Sequence, residues 1–228
     1  EELRLREGLT IEQTLEQIES QLGIPIEEML TSLSDLEALG ISNAANSADG
    51  YLFPATYRLD PGTDSDELVQ IILARLDEEL AKHGLTRSEA HDLLTLASII
   101  QLEARLEPDF YKVSTVFNNR LDIDMPLQSD ATVNYGTKGE KVTTTDEQRA
   151  DPNPYNTYFY RGLPIGPIGN PGGLAIDAAL NPVEGDWLYF VSVNLATGET
   201  VFSETLAQHE RAVLDFQAWI RANPSWNE

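Results

Sequence analysis

Between residues 122 and 182 the chain carries seven of its twelve prolines. Each one removes a backbone N–H and biases the residue before it away from the helical region. No long regular helix or central strand fits through such a stretch. The segments on either side read as capped, amphipathic helices, and a single hairpin follows. The order helices, irregular middle, hairpin, helix predicts an α+β fold and not a βαβ repeat. A loop-rich segment of this length inside a compact domain is usually functional.

The helices are legible from their caps and periodicity. Thr10 and Gln13 form a capping box, Ile11, Leu15, Ile18 and Leu22 follow at helical spacing, and Gly23 ends the run. Pro25 opens a second helix through Met29, Leu30 and Leu33. Residues 41–50 are small and polar, a linker composition, and the aromatic segment from Gly50 to Tyr57 reads as extended. A third helix spans about Ser65 to Gly84. A fourth starts at the capping box Thr86–Glu89 and reaches about Leu106. A fifth holds Val113, Val116, Phe117 and Leu121. From 122 onward no capped, periodic helix stands out until Ala175–Leu180. Trp187–Val193 and Thr200–Phe202 flank a Thr197-Gly198 turn and read as a hairpin. Thr205 and Gln208 cap a last helix carrying Val213, Phe216 and Trp219.

Charge and composition exclude several function classes. Fifteen Lys and Arg against 38 Asp and Glu give 15 − 38 = −23, so the phosphate-binding footprint of a nucleic-acid protein is missing. The same charge repels anionic membrane surfaces. The chain has no cysteine, which removes disulfides, thiolate metal sites and a Cys nucleophile. His83, His91 and His209 show no metal-ligand spacing, so no metal is expected; Asp122, Asp124 and Asp130 read as a solvated acidic loop more readily than as a cation site. The glycine-rich run 162–173 is too rich in proline to cradle phosphate. No apolar run approaches the ~20 residues of a membrane span. The chain begins at Glu1 without a Met or a signal peptide, which leaves room for an anchor upstream.

The informative residue is one carboxylate. On a helix over Leu93–Leu106, Glu103 falls about 20–40° from Leu96 and Ile99, at the end of a buried stripe. Gln101 falls about 160° away from it. Burial disfavours the ionised carboxylate and moves its pKa toward the range of a general acid. The competing reading is a helix-end Glu paired with Arg105 or Arg120 at the surface. Nearby in sequence, Gln128, Asp130, Thr132, Asn134 and Tyr135 form a polar cluster, and Pro154-Tyr-Asn-Thr-Tyr158 supplies rings and amides. Rings for sugar faces and amides for hydroxyls suit a saccharide groove, although each aromatic also reads as core. A hydrolytic glycosidase needs a second carboxylate, and Asp130 is the nearby candidate.

These segments resemble the MltG (YceG-like) endolytic murein transglycosylases. The matching motifs are Asp49-Gly-Tyr-Leu-Phe-Pro-Ala-Thr-Tyr57, Ala97-Ser-Ile-Ile-Gln-Leu-Glu103, Val116-Phe-Asn-Asn-Arg-Leu121, Met125-Pro-Leu-Gln-Ser-Asp-Ala-Thr132, Pro154-Tyr-Asn-Thr-Tyr158 and Gly162-Leu-Pro-Ile-Gly-Pro-Ile168. Asn170-Pro-Gly172, Leu188-Tyr-Phe-Val191 and the helix around His209 also match, in order along roughly residues 1–220.

The resemblance implies a helix-rich, lysozyme-like α+β catalytic domain over 49–228 with a small antiparallel sheet. Residues 1–48 would be a helical arm adjoining an upstream LysM-like module. It implies a single-pass membrane protein with its catalytic domain on the cell-wall side. It also implies peptidoglycan glycan strands as substrate, peptidoglycan synthases as partners, and no organic cofactor. The implied reaction cleaves the MurNAc-β-1,4-GlcNAc bond without water and leaves a 1,6-anhydro end, which terminates or trims nascent strands. One glutamate, acting first as acid and then as base, is enough for it. Glu103 takes that role, with Gln128, Asp130, Tyr155 and Asn156, and also Asn119 and Tyr135, as glycan-binding residues. Many relatives read E-K-E where this chain reads Gln101-Leu-Glu103. Were the first of these positions the catalytic one, the chain would be an inactive Glu→Gln form. The rivals are an ordinary muramidase using Asp130 as second carboxylate, and a non-enzymatic glycan-binding or scaffolding subunit of wall synthesis.

Overall fold

The computed structural model describes residues 1–139 and 144–224. The last residues of the expected catalytic domain, 225–228, lie outside the described residues. Among the described residues are nine α-helices and two two-stranded antiparallel sheets. The architecture is α+β, as the order of elements predicts.

A short strand β1 (Glu2–Arg4) precedes α1 (Ile11–Leu22) and α2 (Ile26–Ser32). The strand β2 (Thr56–Arg58) follows the extended aromatic segment and pairs with β1, Leu3 facing Tyr57. Next come α3 (Ser65–Ala81), a 3-10 turn at Arg87–Glu89, α4 (His91–Glu103) and α5 (Glu107–Asp122). The proline-rich middle holds α6 (Asp130–Thr137), the one-turn α7 (Asp146–Arg149) and α8 (Gly173–Leu180). The hairpin β3 (Tyr189–Asn194) and β4 (Glu199–Ser203) leads into α9 (Leu206–Ala222), which packs on β3.

Local chemistry explains most boundaries. The Thr10–Gln13 box is formed, and Gly23 closes α1 at φ 73°, where glycine has no Cβ penalty. Asp64 caps α3, and Thr205 with Gln208 caps α9. The expected fourth helix is split. Thr86 and Glu89 do form a capping box, but it heads the 3-10 turn, and α4 itself starts after Ala90 and stops at Glu103. Pro108 lies in the first turn of α5, where its missing N–H is one no helix bond needs.

The core is one continuous cluster centred on α4, in which every residue from Leu94 to Ile100 is buried. α4 packs on α8, α5 and α6. Leu3, Leu5, Leu15, Ile18 and Met29 from the first forty-eight residues belong to the same cluster. Gly50 adopts φ 84°, and a Cβ there would sit 2.6 Å from the Pro167 ring. The tight crossing of the Asp49-Gly50 turn over the 162–168 loop therefore requires glycine.

Candidate functional site

Glu103 is the last residue of α4, and Ala104 leaves the helix with extended backbone angles. Its side chain points to the head of α6. The Ser129 hydroxyl donates to Glu103 Oε1 at 2.6 Å, and the Ala131 N–H faces the same carboxylate. Ser129 occupies the N-cap position of α6 yet accepts no capping bond there; its hydroxyl is turned to Glu103. Burial pushes the Glu103 carboxyl above the ordinary carboxylate range, and the neighbouring Asp130 charge adds to this. The Ser129 and Ala131 bonds and the Arg120 charge pull the other way without cancelling it. The C-terminal end of the α4 dipole works in the same direction as burial. The result is a carboxylic acid that holds its proton to higher pH than an exposed glutamate.

Two hollows meet at this residue. The larger, about 1050 Å³, is lined by Gly8, Thr10, Ile11, Asn46, Leu102, Glu103, Asp130 and Tyr135, among others. The smaller, about 440 Å³, is lined by Glu103, Arg120, Gln128, Tyr158, Tyr189 and His209, among others. Glu103 and Asp130 line both, so they stand at the junction. Both volumes lie within or just above the range of small-ligand sites, about 300–1,000 Å³.

Five of the seven residues expected in the site line these hollows. Glu103, Asp130, Tyr135 and Tyr155 line the larger; Gln128 lines the smaller. Gln128 is exposed and holds φ at 52°, an unusual angle for a residue with a Cβ and a form of strain that gathers at functional sites. Asp130 is firmly tied: Tyr158 Oη donates to it at 2.8 Å, Thr144 Oγ1 at 2.6 Å, and Arg149 lies at 3.5 Å. Tyr155 packs its ring edge-on to Tyr135, centroids 4.6 Å apart, and exchanges hydrogen bonds with Asn46.

Asn119 and Asn156 line neither hollow. Asn119 Nδ2 donates to the Gly185 and Trp187 carbonyls and holds the lead-in to β3. Asn156 is 1% exposed; its Nδ2 donates to the carbonyls of Gln148, Arg149 and Asp151, and its Oδ1 accepts from Tyr158 and Phe159. Both amides brace loops behind the walls. Gln101 also faces away from Glu103: its Oε1 accepts from the Gly172 N–H at 2.9 Å and its Nε2 donates to Glu7 at 3.2 Å.

Sequence reasoning missed several wall residues. Ser129 stood inside a quoted motif as an ordinary Ser, although Ser followed by Asp is a helix-start signal. Asp49, 1% exposed, accepts from the Ile11 N–H at 2.7 Å, Tyr135 Oη at 2.7 Å and Ser47 Oγ at 3.0 Å, so it ties α1 to α6 at the cleft. Burial raises its pKa above the usual value while these three bonds oppose the rise. No local pattern pointed to it. Among the described residues no group of three or more His, Asp or Glu side chains is gathered as metal ligands. Asp124 pairs instead with Arg161 at 3.0 Å.

Residues 1–215 match the YceG-like family model. The chain belongs to the YceG-like family. Curated relatives include the endolytic murein transglycosylase of Bacillus subtilis, 38% identical over 175 residues, covering 75% of this chain and 48% of that protein. The endolytic murein transglycosylase of Streptococcus pneumoniae is 32% identical over 221 residues, covering 92% of this chain and 40% of that protein. This chain thus spans half or less of the length of those relatives. The crystal structure of a yceG-like protein from Listeria monocytogenes superposes with a TM-score of 0.77 at 33% identity, covering 92% of this chain and 75% of that one. No helix among the described residues is long and apolar enough to cross a membrane.

Proposed function

We propose that this YceG-like chain is the catalytic portion of an endolytic peptidoglycan lytic transglycosylase. The observation that carries the reading is the position of Glu103: a proton-retaining carboxyl at the junction of two hollows, as a cleaved internal bond requires. A glycan strand lies through both hollows, with the scissile oxygen at Glu103. Glu103 gives its proton to the glycosidic oxygen as the bond to muramyl C1 breaks. The resulting carboxylate then takes the proton of the muramyl O6 hydroxyl as O6 bonds to C1. The acid is regenerated, no water enters, and the new end is a 1,6-anhydro ring.

A hydrolase would need a second free carboxylate to activate water or to attack C1. Among the described residues Asp130 is the only other carboxylate that lines both hollows, and Tyr158, Thr144 and Arg149 engage it. That arrangement favours one-carboxylate chemistry. The names of the relatives from Bacillus and Streptococcus support the same reading.

On this reading the binding residues are Gln128, Asp130, Tyr135 and Tyr155, with Asn119 and Asn156 acting through the loops they hold. The segment 1–48 serves as an arm that joins the 49–228 catalytic region to a module further upstream. The whole protein is anchored upstream by one membrane span, works on the cell-wall side and meets peptidoglycan synthases there. The deciding experiment is digestion of purified sacculi with this chain, followed by mass spectrometry. Products one water lighter than hydrolytic muropeptides are expected. Hydrolytic products would overturn the mechanism in favour of a muramidase, and intact glycan would overturn the enzymatic reading.

A further inference from the structure

The backbone of Ser129 is fixed by a closed ring of hydrogen bonds. Its N–H donates to Thr157 Oγ1 at 3.0 Å, and its carbonyl accepts from Thr132 Oγ1 at 2.7 Å. The two threonine hydroxyl oxygens lie 2.8 Å apart. Thr132 has one hydroxyl proton and the Ser129 carbonyl takes it, so the proton between the threonines comes from Thr157. The ring therefore runs from the Ser129 N–H to Thr157, from Thr157 to Thr132, and from Thr132 back to the Ser129 carbonyl. All three residues are buried. A buried polar network of this kind rigidifies its members when complete and is costly when one link is lost. With both backbone groups of Ser129 taken, its hydroxyl is left to donate to Glu103 Oε1.

Thr157 lines neither hollow. It nevertheless holds two residues that do matter there. Its hydroxyl holds Ser129, and its carbonyl accepts from the Gln128 N–H at 3.1 Å, where Gln128 keeps its left-handed φ of 52°. The neighbours of Thr157 grip the same region: Tyr158 Oη donates to Asp130, and Asn156 Oδ1 accepts from the Tyr158 N–H and fixes the turn.

We propose that Thr157 is a positioning residue for the catalytic acid: its hydroxyl closes the ring that fixes Ser129 and aims the Ser129 hydroxyl at Glu103. The role of Glu103 as the acid rests on the transglycosylase reading; the ring does not. An acid whose hydrogen-bond partner is locked from behind keeps both its orientation and its proton affinity constant through the reaction. Burial raises the Glu103 pKa, and the Ser129 bond is the largest pull against it. The other groups facing Glu103 are Asp130 of α6, Arg120 of α5 and the Tyr158 hydroxyl, while Tyr189 and His209 line the smaller hollow with them. α8 brings Asp177, which accepts from Tyr111 and Asn181, and Arg87 and Glu89 stand in the turn before the opposite end of α4. None of these belongs to the ring, so opening the ring reaches Glu103 through Ser129.

The experiment titrates Glu103 directly. Its carboxyl carbon is followed by NMR against pH in full-length chain carrying ¹³C-labelled glutamate, the signal being assigned by its loss in Glu103→Gln. Thr157→Val keeps the shape and removes the hydroxyl; Thr157→Ser keeps the hydroxyl. Thr157→Val should raise the Glu103 pKa by most of the shift that Ser129→Ala gives, Thr157→Ser should stay near the parent, and Thr157→Val added to Ser129→Ala should raise it no further. An unchanged or lowered pKa in Thr157→Val, equal shifts in Thr157→Val and Thr157→Ser, or a further rise in the double variant would overturn the inference. Should Thr157→Val not fold, Thr132→Val opens the same ring at its next link and is held to the same outcomes. The titration needs no turnover, so failure of the transglycosylase reading is seen separately, in the product masses given by the parent chain.

Discussion

Ser129 donates its hydroxyl to Glu103 Oε1 across 2.6 Å and leaves the head of α6 without a side-chain cap. A serine in that position normally accepts from the helix, which contributes about 1 kcal/mol. Here it is turned to the acid instead. Its bond favours the ionised carboxylate, and burial favours the protonated one. The pair therefore sets how long Glu103 keeps its proton as pH rises.

Ser129→Ala removes a bond that lowers the Glu103 pKa, so that pKa should rise. In a pH profile of kcat/KM the alkaline limb reports loss of the essential acid in the free enzyme. That limb should move to higher pH in Ser129→Ala. A limb that stays in place or moves to lower pH would show that the two side chains are not coupled in solution.

Glu103→Gln should lower glycan cleavage by about 10²-fold or more, the scale of a lost general acid. It should also change stability with a definite sign. The folded pKa of Glu103 lies above its unfolded value near 4.5. The folded protein therefore binds more protons over that interval, and Glu103 reduces stability as pH rises through its folded pKa. The amide does not titrate. Glu103→Gln should thus melt higher than the parent at neutral pH, and the difference should fade toward pH 4. Thermal unfolding at several pH values measures it.

Gln101→Ala tests the other reading of the helix end. Gln101 bridges Glu7 and Gly172 on the face away from the cleft. The substitution should cost about 1 kcal/mol of stability and leave cleavage within a few-fold of the parent. Gln101→Glu brings a second carboxylate to Glu7 and should lower the melting temperature without a gain in activity. A large gain in activity would transfer the acid role to position 101.

The helix caps made most of the α-helical framework legible, because a capping box is a local signal: Thr10–Gln13 and Thr205–Gln208 head the helices expected of them. Glu103 was readable for the same reason, since its place on the apolar face of α4 follows from spacing alone. The β1–β2 pair was not readable, because Leu3 and Tyr57 are brought together only by the tertiary fold. α6 was missed because proline-rich flanks and the glycine at 136 hid eight helical residues. Asn119 and Asn156 were read as ligand-facing amides; a sequence does not say whether an amide faces a cavity or a backbone carbonyl. Asp49 holds Tyr135, 86 residues away, a pairing no local pattern encodes.

Asp49→Ala should separate the two walls of the larger cleft. It leaves the Ile11 N–H and the Tyr135 hydroxyl without their shared acceptor, and each buried orphan costs about 1–3 kcal/mol. Urea unfolding should show a loss of about 2–3 kcal/mol, and KM for glycan should rise because α1 no longer holds the cleft wall. Unchanged stability would mean that solvent reaches these groups freely.

The last prediction concerns how a chain of net charge −23 meets a polymer that itself bears carboxylates. The larger cleft is lined by Glu12, Asp49, Glu103 and Asp130, against Lys138 as the one cation among its described lining residues. Lys138 already lies 3.6 Å from Glu12. Long-range attraction therefore cannot drive binding, and repulsion slows the approach. On the proposed reading affinity should come from short-range contacts with groups such as Gln128 and the Tyr135–Tyr155 pair. Raising salt to 0.1 M shortens the screening length to about 10 Å and should increase the association rate or leave it unchanged. Tyr155→Phe, which keeps the ring and removes the hydroxyl that bonds Asn46, should weaken binding by less than about 1.5 kcal/mol. Both are read from binding of a soluble muroglycan oligomer to Glu103→Gln protein across a salt series. A steep fall in affinity with salt would instead identify Arg120, a buried cation that lines the smaller hollow, as an electrostatic anchor.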